Sequence, residues 1–114
     1  MRFALFALVG LIAGPAFADG ADTFNTRCGD CHTATAESSP VAPGLKGVVG
    51  RKVASLSDFS YSDALRAKGG TWTEQALDAF LTNPQGFVPG TTMFATPPEP
   101  ADRKAIIDYL KTQK

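Results

Sequence analysis

The clearest apolar periodicity lies at the C-terminus. Over residues 100–112, Ala101, Ala105, Ile106, Tyr109 and Leu110 recur at the spacing of one helical face. Pro100 suits the first turn of that helix, and Lys111 sits at the end its dipole favours. A second stripe, Ala76, Leu77, Phe80 and Leu81, predicts a helix over 74–82. Thr73 is its N-cap, Glu74 complements its dipole, and Asn83-Pro84 ends it. Ala21, Phe24 and Cys28 share a face, predicting a short helix over 22–31. A further short helix over 61–68 is stopped by Gly69-Gly70.

Between these stripes the periodicity fails. Residues 33–60 are rich in Gly, Pro and Ser, and read as loops. Residues 85–99 are again irregular, with Pro84, Pro89, Pro97, Pro98 and Pro100 preventing a helix. No alternating strand pattern of useful length occurs, and no repeat. The pattern predicts an all-α domain of three to four short helices joined by long loops.

The first eighteen residues read differently. Arg2 gives a positive start, residues 3–13 form a short apolar run, and Ala16-Phe17-Ala18 offers a cleavage site. The run is too short for a comfortable bilayer span and is followed by small residues and Pro15. Residues 1–18 are therefore read as a cleaved signal peptide, with Asp19 as the mature N-terminus. No integral membrane segment is expected in the mature form, residues 19–114, whose location is expected to be periplasmic. Those ninety-six residues (114 less 18) make one small domain with a thin core of its own. Without Arg2, ten basic residues face eleven acidic ones, a net charge near −1. That balance gives no field for nucleic acid or an anionic membrane.

The chemistry is concentrated in one pentapeptide. Cys28-Gly29-Asp30-Cys31-His32 holds both cysteines and the only histidine of the chain. C-x-x-C-H is the attachment signature of a c-type haem: two thiols add to the porphyrin's vinyl groups, and the adjacent imidazole is placed under the iron. A spacing of three puts the sulfurs about one helical turn apart on one face. A zinc site needs ligands that no further Cys or His supplies. A redox dithiol has no need of the histidine, and a βαβ pattern is missing around it. A structural disulfide is the remaining rival. A haem is the favoured reading, and loops wrapped around it would remove the objection to long irregular segments in a small domain.

An iron with His32 on one side needs a partner on the other. Met93 is the single methionine after the leader, sixty-one positions past His32 in Pro89-Gly90-Thr91-Thr92-Met93-Phe94. Methionines usually fill core gaps. A lone one in a Pro/Gly loop is also where a loop ligand could cross the haem, and a soft thioether favours ferrous iron.

With these residues in place, the chain resembles the class I cytochromes c, the group with mitochondrial cytochrome c and bacterial cytochrome c2, from Cys28 to the C-terminal helix. The resemblance implies Cys28 and Cys31 as the attachment site, His32 as proximal ligand and Met93 as sixth ligand. Pro43-Gly44-Leu45 looks like the family's Pro-x-Leu segment, whose proline carbonyl accepts a hydrogen bond from the proximal histidine. Gly50-Arg51-Lys52 looks like its Gly-Arg-Lys turn, and residues 59–64 resemble its aromatic-x-Tyr-x-x-Ala segment. Trp72 lies eleven residues beyond Tyr61, at the position of the family's propionate-binding tryptophan. Arg51, Tyr61 and Trp72 are thus implied as haem-binding residues, each able to donate to a buried carboxylate. Asn83-Pro84 and Pro89-Gly90-Thr91-x-Met93 complete the match.

Four positions depart from the family pattern. Phe80 falls where a tyrosine usually bonds the methionine sulfur, which should leave the sulfur a better donor to ferric iron. Leu65 replaces an asparagine that commonly helps hold an internal water. Thr92 and Ala95 replace a lysine and an aromatic beside the exposed haem edge.

The function expected is that of a soluble periplasmic electron carrier, a monomer with one covalently attached haem c, and not an enzyme. It would dock transiently at its haem edge with redox-partner proteins. Electrons would pass from a quinol-oxidising complex or a dehydrogenase to an oxidase, reductase or photosynthetic reaction centre. No lysine ring surrounds the Met93 loop, so a mitochondrial-type steering field is not evident. The rival readings are a c-haem peroxidase or small-ligand sensor with a labile sixth ligand, and a small haem subunit of a larger dehydrogenase. The first would need a distal acid–base pair, and no second His is available for one.

Overall fold

The computed structural model describes residues 20–94 and 99–114. The leader over 1–18, its cleavage point and positions Ala95, Pro97 and Pro98 lie outside the described residues. Five helices form among those described: α1 (Gly20–Arg27), α2 (Asp63–Lys68), α3 (Glu74–Thr82), α4 (Pro84–Phe87) and α5 (Pro100–Thr112). Their extended pairing is limited to one isolated antiparallel bridge, Lys52 to Thr71. The architecture is all-α with long loops between short helices, as the sequence pattern predicts and the resemblance implies.

Helix α5 is the spine, with α1 packed across it and α3 beside it. Phe24 of α1 and Ile106 of α5 are almost fully buried, and the Phe24 ring lies 5.6 Å from that of Tyr109. The crossing is close because α1 begins with a glycine. A Cβ at Gly20 would strike the carbonyl oxygen of Ala105 and the Cβ of Tyr109. Leu77, Phe80 and Leu81 of α3 join the same core, matching their apolar stripe. At the surface, Asp78 pairs with Arg103 and Glu74 with Lys111, each at 3.1 Å. The Glu74–Lys111 pair is exposed on both sides and contributes about 1 kcal/mol at most. Arg103 instead lies largely buried beside α3 and adds its stem to the apolar face that holds α3 to α5.

Two details of α5 differ from its predicted stripe. Ala101 is exposed, and Ile107 is buried in its place. Because α1 and α3 both contact α5, its buried surface is wider than a single face.

Helix boundaries follow the caps. Thr73 Oγ1 accepts from the Ala76 N–H at 3.0 Å, so α3 begins where predicted. Ser62 Oγ accepts from the Leu65 N–H, which starts α2 at Asp63 and leaves Tyr61 outside the helix. The helix expected over 22–31 instead runs from Gly20 to Arg27, and both cysteines lie beyond it. Helix α4 replaces the irregular chain expected after Asn83. Asn83 Oδ1 accepts from the Gly86 N–H at 3.0 Å, and Pro84 occupies the first turn, where its missing N–H costs nothing. Asn-Pro thus ends one helix and starts the next.

The loops are stitched by backbone bonds. The Gly50 N–H donates to the Trp72 carbonyl and the Trp72 N–H to the Arg51 carbonyl, both at 2.8 Å. The Val53 N–H reaches the Gly70 carbonyl at 2.9 Å. A ribbon too short to show as a strand pattern therefore brings Arg51 beside Trp72.

Candidate cofactor site

The cysteine turn grows directly from the end of α1. The Cys28 and Gly29 N–H groups both donate to the Phe24 carbonyl, at 2.7 and 3.0 Å, so one acceptor serves two donors and the helical ladder stops. The Cys31 and His32 N–H groups then both donate to the Cys28 carbonyl, at 3.1 and 2.9 Å. Two thiols and one imidazole are gathered in a single tight turn. The cysteines are free rather than bonded to each other, Cys28 half-buried and Cys31 exposed. Burial, with Cys31 adding to it and Arg27 opposing, pushes the Cys28 thiol up to about 11. That is opposite to the lowered pKa of a redox-active dithiol. Among the described residues, no three His, Cys, Asp or Glu side chains come together to hold a metal ion.

His32 is held by a loop that folds back over it. Its Nδ1 lies 2.8 Å from the Pro43 carbonyl oxygen, which can only accept, so Nδ1 carries the proton and Nε2 keeps its lone pair. Burial lowers the His32 pKa, and the bond to Pro43 opposes that in part. The Leu45 N–H closes the loop on the Thr33 carbonyl at 2.8 Å. Behind it, the Gly44 N–H donates to Ser38 Oγ at 2.8 Å, and Ser38 donates from N and Oγ to the Asp58 carboxylate at 3.0 and 2.8 Å.

Arg51, Tyr61 and Trp72 form a donor set on the same loop wall. Arg51 donates from Nη2 to the Gly44 carbonyl at 2.9 Å and from Nη1 to that of Lys46 at 3.2 Å. Its Nε is buried with no partner among the described residues. Burial lowers its pKa, opposed by the Tyr61 hydroxyl and the Asp58 carboxylate, which places both groups near the guanidinium. Tyr61 is buried and its hydroxyl accepts from the Leu56 N–H at 3.2 Å, leaving its own proton to donate. Trp72 is also buried, and its indole N–H is a further donor that a carboxylate could accept from. A half-buried guanidinium with an orphaned Nε is costly without an anion. A haem propionate is such an anion, so these residues fit the group.

Met93 is half-buried and packs, like Cys28 and Leu45, against the single core cluster. Its neighbour Phe94 is 77% exposed, so the chain turns one side chain inward and the next out to solvent. Phe80 is buried against Trp72, with ring centroids 5.2 Å apart, and Phe87 lies 6.3 Å from it. The position without a tyrosine hydroxyl is thus filled by an aromatic cluster. Leu65 packs against the same core.

Three polar side chains were not singled out by the sequence pattern. Ser38 and Asp58 lie twenty residues apart in loops without periodicity, and clasp one loop to the other. Gln85, in α4, bonds the backbone at Gly90 and Thr91. No spacing rule marks such contacts, because nothing but the folded path of the loops brings them together.

Comparison with known proteins agrees with this geometry. The family model described as cytochrome c matches residues 17–114. A cytochrome c of Arabidopsis thaliana is 41% identical over 96 residues, covering 82% of this chain and 86% of that protein. Cytochrome c2 iso-2 of Magnetospirillum molischianum is 43% identical over 90 residues, covering 78% and 93%. The solved structure of cytochrome cH from Methylobacterium extorquens superposes with a TM-score of 0.76 at 39% identity, covering 84% of this chain and 97% of that one. A turn of two free thiols and a singly bonded imidazole, a buried guanidinium nitrogen without a partner among the described residues and relatives matched along nearly their whole length lead to one assignment: the chain belongs to the cytochrome c family, as a class I member that carries electrons on a covalently attached c-type haem and is not an enzyme.

Proposed function

We propose that this chain is a soluble, monomeric periplasmic carrier whose haem is ligated by His32 and Met93. Cys28 and Cys31 hold the haem by thioethers, and Arg51, Tyr61 and Trp72 bind its propionates. Bound there, the haem supplies a one-electron ferric/ferrous couple. The observation that carries this reading is the His32 Nδ1 bond to the Pro43 carbonyl, beside two unpaired cysteines. It fixes the tautomer, aims the Nε2 lone pair away from the protein backbone and strengthens that nitrogen as a donor.

The remaining residues act by holding positions. Arg51 keeps a positive charge within the wall, because its guanidinium stays protonated despite burial. Met93, anchored on the core, supplies a neutral sulfur that favours the ferrous state. With His32 and Met93 both holding the iron, no position would remain there for a substrate, which would separate a carrier from a peroxidase or sensor. Residues 1–18 act as a cleaved export signal. Among the described residues no helix is long and apolar enough to cross a membrane.

Partners dock transiently at the exposed haem edge, taking electrons from a quinol-oxidising complex or dehydrogenase to an oxidase, reductase or reaction centre. The optical spectrum of the oxidised holoprotein tests the ligation. A far-red sulfur-to-iron band is the expected result, and a high-spin spectrum would overturn it in favour of an open-site haem protein.

A further inference from the structure

Helix α4 is a single turn, yet its second residue reaches well beyond it. The Gln85 carboxamide makes two bonds to the chain that leads to Met93. Its Oε1 accepts from the Gly90 N–H at 3.2 Å, and its Nε2 donates to the Thr91 carbonyl at 2.6 Å. Gly90 adopts φ +89, the left-handed region that lets the chain reverse here, and Thr91 is buried. Among the described residues, the other hydrogen bonds on this stretch are the Thr91 N–H to the Val88 carbonyl at 3.0 Å and a long Met93 N–H contact to Thr91 Oγ1 at 3.4 Å. Among the described residues, the two amide bonds are therefore a large share of the hydrogen bonds that fix the backbone two residues before Met93.

The clasp needs a particular side chain. It requires one donor and one acceptor at the end of a two-methylene stem. Glutamate supplies no donor when ionised, and leucine supplies neither group.

We propose that Gln85 is a positioning residue for the sixth ligand: it holds the Gly90–Thr91 turn closed and so sets how readily Met93 leaves the iron. This rests on reading Met93 as that ligand. A side chain that stabilises the closed loop lowers the population competent to bind an outside ligand, and apparent affinity falls by that fraction.

The experiment titrates oxidised holoprotein with imidazole, following loss of the far-red band, alongside thermal unfolding. Imidazole binds Gln85→Leu about tenfold more tightly than wild type, the loss of one to two net hydrogen bonds from the closed state. Gln85→Glu, which turns an acceptor toward the Thr91 carbonyl, also binds it more tightly. Ile106→Val, a destabilised control in the helical core, leaves imidazole affinity within twofold of wild type. In the unaltered protein, the Gly90 amide is protected from hydrogen exchange and loses that protection when imidazole is bound. Lowered unfolding temperatures for the Gln85 variants with unchanged imidazole affinity, or an unprotected Gly90 amide, would overturn the proposal. A wild-type protein without the far-red band would instead refute Met93 as ligand, and the proposal with it.

Discussion

Where α1 crosses α5, the chain closes through Phe24, Ile106 and a glycine that lets two backbones meet; along residues 33–72, it closes through hydrogen bonds from Ser38, Arg51 and the ribbon at Trp72. The helical frame is satisfied by its own contacts. The loop wall is not, since the Arg51 Nε is buried without a partner among the described residues. The difference teaches that the frame stabilises the fold while the wall is built around something it does not itself contain. Changes in the frame should move stability and spare the redox potential. Changes at the wall's donors toward the cofactor should do the reverse.

The largest effect tests the frame. Ile106 is 1% exposed at the centre of the core. Ile106→Ala should destabilise the holoprotein by about 2–5 kcal/mol, through lost transfer energy and the cavity left behind. Denaturant unfolding measures the loss, and potentiometry on the same sample should find the potential close to wild type. A large shift in potential would erase the distinction between the two regions.

A smaller effect on stability, but a clear one on potential, is expected in the wall. Arg51→Ala removes a positive charge beside the haem propionates. Ferric haem, one charge more positive, is then favoured, and the potential should fall by up to about 59 mV, a tenfold change for one electron. Potentiometric titration checks it, and a rise would contradict the place given to Arg51.

The smallest effect concerns the clasp behind His32. Hydrogen bonds from the Ser38 backbone N–H and then from its hydroxyl hold the Asp58 carboxyl below its ordinary range, with Arg51 adding a lesser pull. A depressed folded pKa contributes stability that is present above the ordinary carboxylate value and lost as pH falls through the lower folded one. Asp58→Asn should therefore lower stability at neutral pH and flatten the acid limb of the stability curve, the difference from wild type shrinking as pH falls. An unaltered acid limb would show that the clasp stabilises nothing.

The two regions also differ in what their sequences reveal. Apolar stripes and caps give α3 and α5 within a residue, because burial of one face leaves a period in the chain. Ile107 escapes that logic, since two neighbouring helices bury more than one face of α5. In the wall, Arg51, Tyr61 and Trp72 are legible through family resemblance alone. Periodicity says nothing of them, for Arg51 and Trp72 are brought together by a ribbon of three backbone bonds and Tyr61 by the path of the loop. Helix α4 is hidden by its proline and those that follow it, although Asn83-Pro84 is an N-cap followed by a first-turn proline. Gln85 and the Ser38–Asp58 clasp leave no local trace, because each joins segments that meet only once the loops are folded.

The central claim is that His32 and Met93 together set the iron's environment, and one paired potentiometric titration tests it most directly. Replacing the thioether by an imidazole in Met93→His removes the soft ligand that favours ferrous iron. The potential of the variant should fall by more than about 59 mV relative to wild type. An unchanged potential would contradict the assignment of Met93 and return the iron's second face to an unknown ligand.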